Sequence, residues 1–207
     1  MAKPARRVAV FIDYQNCYGA AREAFASGLD PSYVGNFSPT ALARLLAGKG
    51  GGAFQLVFTG VYTGIAEPRQ DPRTHSARTK QITRWKRDGA TVFARPLRYP
   101  PGWKAGVTNR DSPREKGVDV KMAIDAVMGA MRDDFDVAIL ATCDTDFVPV
   151  VEALLELQSL KGTPDVEVIA WKDRNNRLGV PGRNLTERWV GPNDFRAIVD
   201  PTDYNAA

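Results

Sequence analysis

The sequence has few of the residues on which many functional sites depend. Its 207 residues include two cysteines, Cys17 and Cys143, and one histidine, His75. Two cysteines are too few for a disulfide framework or a Cys-based zinc site. One histidine excludes a His-rich metal centre, and a Cys–His dyad would require His75 to lie beside a thiol. Any metal would therefore be held by oxygen atoms, which favours hard cations such as magnesium or manganese.

Long hydrophobic runs are also missing. No apolar stretch approaches the roughly 20 residues that span a membrane. The apolar segment after the basic N-terminal residues, Val8–Ile12, is too short for the core of a signal peptide. We therefore expect a cytoplasmic protein with no membrane partner. With 43% hydrophobic and 25% charged residues, the chain is predicted to form a single domain over residues 1–207, with its core at about 7–199.

Charge is unevenly distributed along the chain. Residues 67–116 contain 13 Lys/Arg against 5 Asp/Glu, whereas the remainder contains 15 against 19. A basic segment inside an otherwise acidic chain suggests an anionic partner, most simply nucleic acid. A solvated, Arg-rich helix and loop would have the same composition. The second half of this segment, residues 95–116, contains four prolines and no apolar periodicity, and is predicted to be a long loop.

Strand and helix patterns alternate along the sequence. This alternation predicts a three-layer α/β/α sandwich with a central, mostly parallel sheet. In such sheets ligands bind at the carboxyl ends of strands, near the point where the strand order reverses. Site residues are therefore expected just after the first and fourth strands. The strand patterns lie at 8–12, 54–62, 91–94, 136–142 and 166–171, and near the C-terminus a short helix is predicted over 184–189 and an extended segment over 195–199.

Aspartates follow both of these strands. Asp13 ends the first strand, Asp144 and Asp146 follow the fourth, and Asp119 begins the helix that leads into the fourth. If the four carboxylates converge, their like charges repel and raise one another's pKa, so such a cluster persists when a divalent cation neutralises it. A magnesium or manganese ion held there could activate a water molecule as a nucleophile, and a second ion could stabilise the leaving oxygen of a phosphodiester.

Each of these aspartates also has a structural alternative. Asp13 and Asp119 each suit the N-cap of a helix. One residue of the Asp144/Asp146 pair can cap the following helix, but two aspartates flanking a tight turn are more than capping needs. Taken together, the four favour a metal site over coincidence.

Three sequence motifs resemble those of a known family. They are Phe-Ile-Asp-Tyr-Gln-Asn at 11–16, Lys-Gly-Val-Asp-Val-Lys-Met-Ala-Ile-Asp at 116–125 and Cys-Asp-Thr-Asp-Phe-Val-Pro at 143–149. Their order and spacing resemble the NYN domain, which belongs to the PIN-like ribonucleases and includes the LabA/DUF88 proteins. The resemblance covers roughly residues 7–199, including the closing segment. It implies a PIN-like α/β/α sandwich and metal-dependent cleavage of RNA.

The resemblance also implies roles for particular residues. The family's metal-binding acids match Asp13, Asp119, Asp144 and Asp146, which would be both metal ligands and catalytic residues. The Asn after the first acid matches Asn16, which would orient a metal ligand or a phosphate. A small hydroxyl position matches Thr142, which would hydrogen-bond a metal-bound water. Cys143 departs from the family pattern, because glycine is common there.

Asp125 is a weaker, supporting candidate. It lies six residues beyond Asp119, about 240° round the helix at 100° per residue. We therefore expect it on the flank of the site, where it would position Lys121, Arg132 or a neighbouring loop.

The basic segment is predicted to offset the acidic site and bind the polyanion. Basic residues interleaved with aromatics suit single-stranded nucleic acid, because bases stack while the backbone charge is neutralised. Two aromatic candidates could instead anchor the loop, and a single arginine on the helix could simply be solvated. The predicted nucleic-acid-binding residues are Lys80, Arg84, Arg98, Tyr99, Trp103, Lys104, Arg110, Arg114 and Lys116.

The function predicted from the sequence is a Mg²⁺- or Mn²⁺-dependent ribonuclease. It would hydrolyse phosphodiesters of single-stranded RNA or structured loops, and would act as an endonuclease. Two alternatives stay open. One is a haloacid-dehalogenase-like phosphatase with Asp144 as nucleophile, although that motif usually opens a chain. The other is a non-catalytic RNA-binding or assembly module. The sequence leaves open whether the protein forms a homodimer.

Overall fold

Buried, β-branched segments form a six-stranded sheet in the computed structural model, which describes residues 4–107, 111–172 and 177–206. All neighbouring strands pair in parallel, in the order β3-β2-β1-β4-β5-β6. The order reverses between β1 and β4, because the chain adds β2 and β3 on one side of β1 and β4 to β6 on the other. The strands are β1 Arg6–Asp13, β2 Phe54–Ile65, β3 Thr91–Pro96, β4 Val137–Ala141, β5 Asp165–Trp171 and β6 Thr186–Val190.

Helices cover both faces of this sheet. One hydrophobic cluster joins the sheet to α1, α2, α3 and α6, and a second joins its other face to α4 and α5. The predicted three-layer α/β/α sandwich is therefore confirmed, with an all-parallel sheet. None of the helices in the described part of the chain is both long and apolar enough to cross a membrane. The helices are α1 Tyr14–Phe25, α2 Pro39–Gly48, α3 Pro72–Arg87, α4 Val118–Met131, α5 Val148–Lys161 and α6 Pro192–Ile198.

The two C-terminal predictions were wrong. A helix was predicted over 184–189, but residues 186–190 form β6 because they pair in parallel with the open edge of β5. The segment predicted as extended lies instead in α6. Pro192 occupies the first turn of this helix, and the Asp194 carboxylate accepts a hydrogen bond from the Gly191 N–H at 2.9 Å. A short segment with several polar residues gives little periodicity, so its pairing partner decides its structure.

Helix α4 is apolar on nearly every side, so the predicted buried face differs in part from the observed one. The spacing predicts a buried stripe of Ala123, Ala126, Val127, Ala130 and Met131, yet Met131 is exposed. The face that packs on the sheet comprises Val118, Met122, Ala126, Gly129 and Ala130. The solvent-facing side exposes Val120, Ile124, Met128 and Met131. Periodicity cannot choose between faces when both are apolar.

An ion pair joins the starts of β1 and β4. The Arg7 guanidinium donates to Asp136 Oδ1 through Nη2 at 2.7 Å and Nε at 3.1 Å, and the Arg7 N–H donates to Oδ2 at 2.8 Å. These hydrogen bonds hold the pKa of Asp136 below its ordinary value of 3.8. The pair therefore aligns the two strands between which the strand order reverses.

Asp136→Asn should lower the free energy of unfolding by about 1–2 kcal/mol at pH 7, because the amide loses the charge-assisted bonds. The pKa of Asp136 is lowered by folding, so its stabilisation is present above pH 3.8 and is lost as the pH falls through the folded value. Urea denaturation should show the wild-type advantage shrinking below about pH 4. Asp134→Asn, at an exposed pair with Arg132, should change stability by less than about 0.5 kcal/mol. Equal effects of the two substitutions on the free energy of unfolding would contradict a stabilising role for the Arg7–Asp136 pair.

Candidate active site

The carboxyl ends of β1 and β4 meet where the strand order reverses. Asp13 is the last residue of β1 and caps α1, and Asp144 follows β4 after two intervening residues. The two strands are neighbours, with Ile12 paired to Ala141. The site residues expected after the first and fourth strands therefore lie at the same edge of the sheet, which is where parallel α/β sheets bind ligands.

Asp13 lies in a poorly hydrated, negatively charged environment. Its Oδ1 accepts a hydrogen bond from the Asn16 N–H at 3.1 Å, and the Thr142 hydroxyl lies 3.4 Å from Oδ2. Burial raises the pKa of Asp13 to about 6, and the charges of Asp144 and Asp119 add to this rise, against the two hydrogen bonds. Asp119 and Asp144 thus both lie within electrostatic range of Asp13.

The turn after β4 is held in place by hydrogen bonds to Asn16 and Thr142. The Cys143 N–H donates to Asn16 Oδ1 at 2.8 Å, and the Asp144 N–H donates to Thr142 Oγ1 at 3.1 Å. Asp144 Oδ1 accepts from the Asp146 N–H at 3.0 Å and caps the short 3-10 turn Thr145–Phe147. The Cys143 side chain is buried, so the turn accommodates a residue larger than glycine. Asn16 and Thr142 therefore connect the Asp13 end of β1 to the Asp144 end of β4.

Asp119 and Asp146 lie at the exposed rim of this site. Asp119 is in the first turn of α4, and Asp146 is in the 3-10 turn. Among the described residues, no group of three or more Asp, Glu, His or Cys side chains is close enough to hold one ion in the present side-chain positions. The donor set fits a hard cation, because the groups gathered here offer oxygen and the carboxylates repel one another.

Glu115 is a site residue that sequence reasoning missed. Its Oε1 accepts a hydrogen bond from the Gly64 N–H near the end of β2. Burial raises the pKa of Glu115 to about 7, and the charges of Asp13 and Asp119 contribute, so Glu115 belongs to the same acidic cluster. The sequence signal for Glu115 was its position directly before the motif at 116–125 that leads into α4. Its approach to Asp13 depends on tertiary contacts.

Both carboxylate oxygens of Asp125 accept hydrogen bonds from residues outside the acidic cluster. The Tyr62 hydroxyl donates to Asp125 Oδ2 at 2.9 Å, and Lys121, one turn earlier on α4, donates to Oδ1. Burial raises the pKa of Tyr62, and the hydrogen bond and charge of the Asp125 carboxylate raise it further. The predicted pairing with Lys121 is present, and both Asp125 oxygens are engaged in linking α4 to β2.

Four of the predicted nucleic-acid-binding residues line one cleft beside the acids. The backbones of Arg98 and Arg114 pair through hydrogen bonds of 2.8 and 2.9 Å, which closes the base of the loop after β3. The cleft measures about 450 Å³ and reaches Glu115 at its acidic end. Its described lining residues are Arg98, Tyr99, Pro100, Asp111, Ser112, Arg114, Glu115 and Lys116.

The aromatic residues of this loop also have structural contacts. The rings of Tyr99 and Trp103 meet edge to face at 4.6 Å between centroids. The Tyr99 hydroxyl accepts a hydrogen bond from the Glu67 N–H at 3.2 Å, which anchors the loop to the segment after β2. Tyr99 is thus both a wall of the cleft and an anchor of the loop.

The remaining basic residues predicted to bind nucleic acid are not among the described residues that line the cleft. The structure gives Arg84 another role, because its guanidinium donates at 3.0 Å both to buried Asp200 and to Thr202. This ion pair fastens α3 to the C-terminal segment. Lys80 and Lys104 are exposed and do not line the cleft. The predicted contact at Arg110 lies outside the described residues.

A parallel α/β/α sandwich with aspartates gathered at the point where the strand order reverses has the architecture of the PIN-like class of nucleases. The chain belongs to the NYN domain family, whose model matches residues 7–170. NYN domains are generally nucleases. A crystal structure of a Vibrio parahaemolyticus protein of unknown function is similar over 93% of this chain and 96% of that chain, with a TM-score of 0.55 and 22% identity, which supports the fold alone. The chain matches no curated protein.

Proposed function

We propose that this NYN protein is a metal-dependent ribonuclease that cleaves single-stranded RNA internally, with the chain acting as one domain. The observation that carries the proposal is the position of Asp13. It is half-buried at the reversal point of the sheet, within electrostatic range of Asp119, Asp144 and Glu115, and the basic cleft begins at Glu115. An anionic substrate drawn into the cleft would meet a site whose own negative charge requires a cation.

Asp13, Asp119, Asp144 and Asp146 are the residues that would hold Mg²⁺ or Mn²⁺. Asp13 is oriented by Asn16 and Thr142, whereas the exposed carboxylates of Asp119 and Asp146 can change rotamer and approach it. When bound, the cation lowers the pKa of water and offsets charge on the phosphodiester. The hydrogen bonds of Asn16 and Thr142 fix the spacing of β1 and β4, and thus prepare the site before the cation arrives.

Substrate binding would be the task of the basic cleft. Arg98, Arg114 and Lys116 neutralise phosphates along the strand, and Tyr99 offers a ring face for a base. Lys116 lies next to Glu115 and three residues before Asp119, so it would contact the phosphate nearest the acids. A mixed surface of this kind suits an extended single strand, whose bases are accessible for stacking.

The reaction proposed is a hydrolysis by in-line attack. A water oxygen forms a bond to phosphorus and gives up a proton, the bond from phosphorus to the 3′ oxygen breaks, and that oxygen takes up a proton. The products are a 5′-phosphate and a 3′-hydroxyl. No protein nucleophile is required, which agrees with the scarcity of cysteine and histidine in the chain.

The decisive experiment incubates purified protein with labelled single-stranded RNA in Mn²⁺, in Mg²⁺ and in chelator. Cleavage should require a divalent cation and should leave 5′-phosphates, detected by ligation or phosphatase sensitivity of the new ends. Cleavage that continues in chelator would overturn the proposal. Release of phosphate from small phosphomonoesters with intact RNA would instead favour the phosphatase alternative. RNA binding without cleavage under every condition would favour a non-catalytic binding module.

A further inference from the structure

A second cavity lies on the α1/α3 side of the acidic cluster. It measures about 230 Å³ and is lined by residues of α1, the loop before α2, α3 and the C-terminal segment. Sites for drug-sized ligands usually measure about 300–1,000 Å³, so this cavity suits a smaller group. The lining residues that matter here are Tyr18, Tyr33, Thr74, Arg78, Asp203 and Tyr204.

Arg78 is the principal charged group of this cavity. Its guanidinium lies 5.0 Å from the ring centroid of Tyr14 and 5.8 Å from that of Trp85, and its Nη1 donates to Gln81 Oε1 at 2.8 Å. No ion pair joins Arg78 to a carboxylate of the described residues. Burial lowers the pKa of Arg78, because the charged guanidinium is partly removed from water. Glu115 acts on this charge from beyond ion-pair distance. A partly desolvated arginine that contacts aromatic rings and has no ion-paired carboxylate among the described residues is a favourable partner for an anionic ligand.

The acid that lines the cavity has a local partner of its own. Asp203 Oδ1 accepts a hydrogen bond from the Asn205 N–H at 2.9 Å within the C-terminal segment. Two tyrosine rings, Tyr18 and Tyr33, belong to the same lining. Arginine with aromatic walls is the combination that recognises a phosphate joined to a flat heterocycle.

The cavity is close to the acidic cluster. Tyr14, whose ring lies beneath Arg78, directly follows Asp13 in the chain. Glu115 interacts electrostatically with Arg78 and also with Asp13 and Asp119. A polynucleotide lying across the acids could therefore place a neighbouring nucleotide in the cavity.

We propose that this cavity is a subsite for one nucleotide, in which Arg78 binds the phosphate and the tyrosine rings of the lining contact the base. The proposal rests on the proposed ribonuclease function, since the nucleotide is taken to belong to the RNA beside the cleaved bond. A free nucleoside monophosphate offers the same chemistry. The cavity volume of about 230 Å³ leaves room for one nucleotide at most.

Binding to the full chain in chelator tests the subsite without requiring cleavage. Adenosine and uridine 5′-monophosphates are titrated by calorimetry, first alone and then in competition with a short single-stranded RNA. We expect saturable binding that Arg78→Gln weakens by at least about tenfold, because a charge-assisted contact is lost. The matched control is Arg87→Gln, which removes an exposed arginine at the other end of α3 and should leave the affinity unchanged.

A second pair of variants keeps the test valid if Arg78→Gln fails to fold. Thr74→Trp places a large ring at the mouth of the cavity and should abolish binding, whereas Thr83→Trp, at an exposed threonine of the same helix outside the lining, should not. No binding by the wild type, or equal binding by all variants, would overturn the subsite. Binding that RNA cannot displace would overturn the assignment to RNA and identify a site for free nucleotides. Because cleavage is not measured, loss of the subsite and loss of the nuclease proposal are separate results.

Discussion

Replacing Asp13 with asparagine should reduce the rate of RNA cleavage by at least about a hundredfold, beyond the 10- to 100-fold typical of groups that only support a metal ligand. The substitution removes the carboxylate charge at the half-buried centre of the acidic cluster. Asparagine keeps the shape of the side chain and is a favourable N-cap, so α1 should still begin at Tyr14. The measurement is the initial rate of cleavage of labelled single-stranded RNA in Mn²⁺.

The control for this experiment is Asp134→Asn, which removes an aspartate from an exposed pair with Arg132 at the end of α4. Its cleavage rate should equal that of the wild type. Thermal unfolding of both variants confirms that each is folded. A folded Asp13→Asn protein that cleaves RNA at the wild-type rate would exclude Asp13 from the metal site and would remove the main support for the proposed function.

Replacing both Arg98 and Arg114 with glutamine should weaken binding of single-stranded RNA by about tenfold to a hundredfold, because two phosphate contacts are lost. The slope of log K against log salt should become less negative by about 1.4, the change expected for the loss of two phosphate contacts on a single strand. The two residues pair through their backbones, so the side chains can be changed without opening the loop. Fluorescence anisotropy in chelator, repeated over a range of salt concentrations, measures both quantities.

The matched control for the cleft is Lys86→Gln combined with Arg87→Gln. These residues lie in the last turn of α3, at the edge of the sheet opposite the acids. This control removes the same net charge and should leave both the affinity and the salt dependence close to the wild type. If both double variants weaken binding equally, the attraction depends on net charge and the cleft is not the binding surface.

The local features of this protein could be predicted from its sequence. Apolar runs bounded by polar residues identified β1 and β4, and Asp13, which suits an N-cap, caps α1 in the structure. The predicted parallel sheet by itself placed Asp13 and Asp144 at the same edge. These predictions succeeded because they depend on interactions between residues near one another in the chain, or on the general geometry of parallel sheets.

Other features depend on residues that are distant in the chain. Glu115 approaches Asp13 across about a hundred positions, and Arg84 binds Asp200 although the sequence makes it equally suited to RNA. Residues 186–190 form a strand because the edge of β5 is available for pairing. The local sequence pattern does not predict that available edge.

Composition, motif spacing and the alternation of strands and helices were sufficient to predict an oxygen-rich acidic site on a parallel sandwich. Only the tertiary structure decided which charges join that site, which serve the fold and which, like Arg78, line a cavity of their own. The physical reason is that charge and burial act through space, so a side chain acquires its role from neighbours that the linear sequence does not specify.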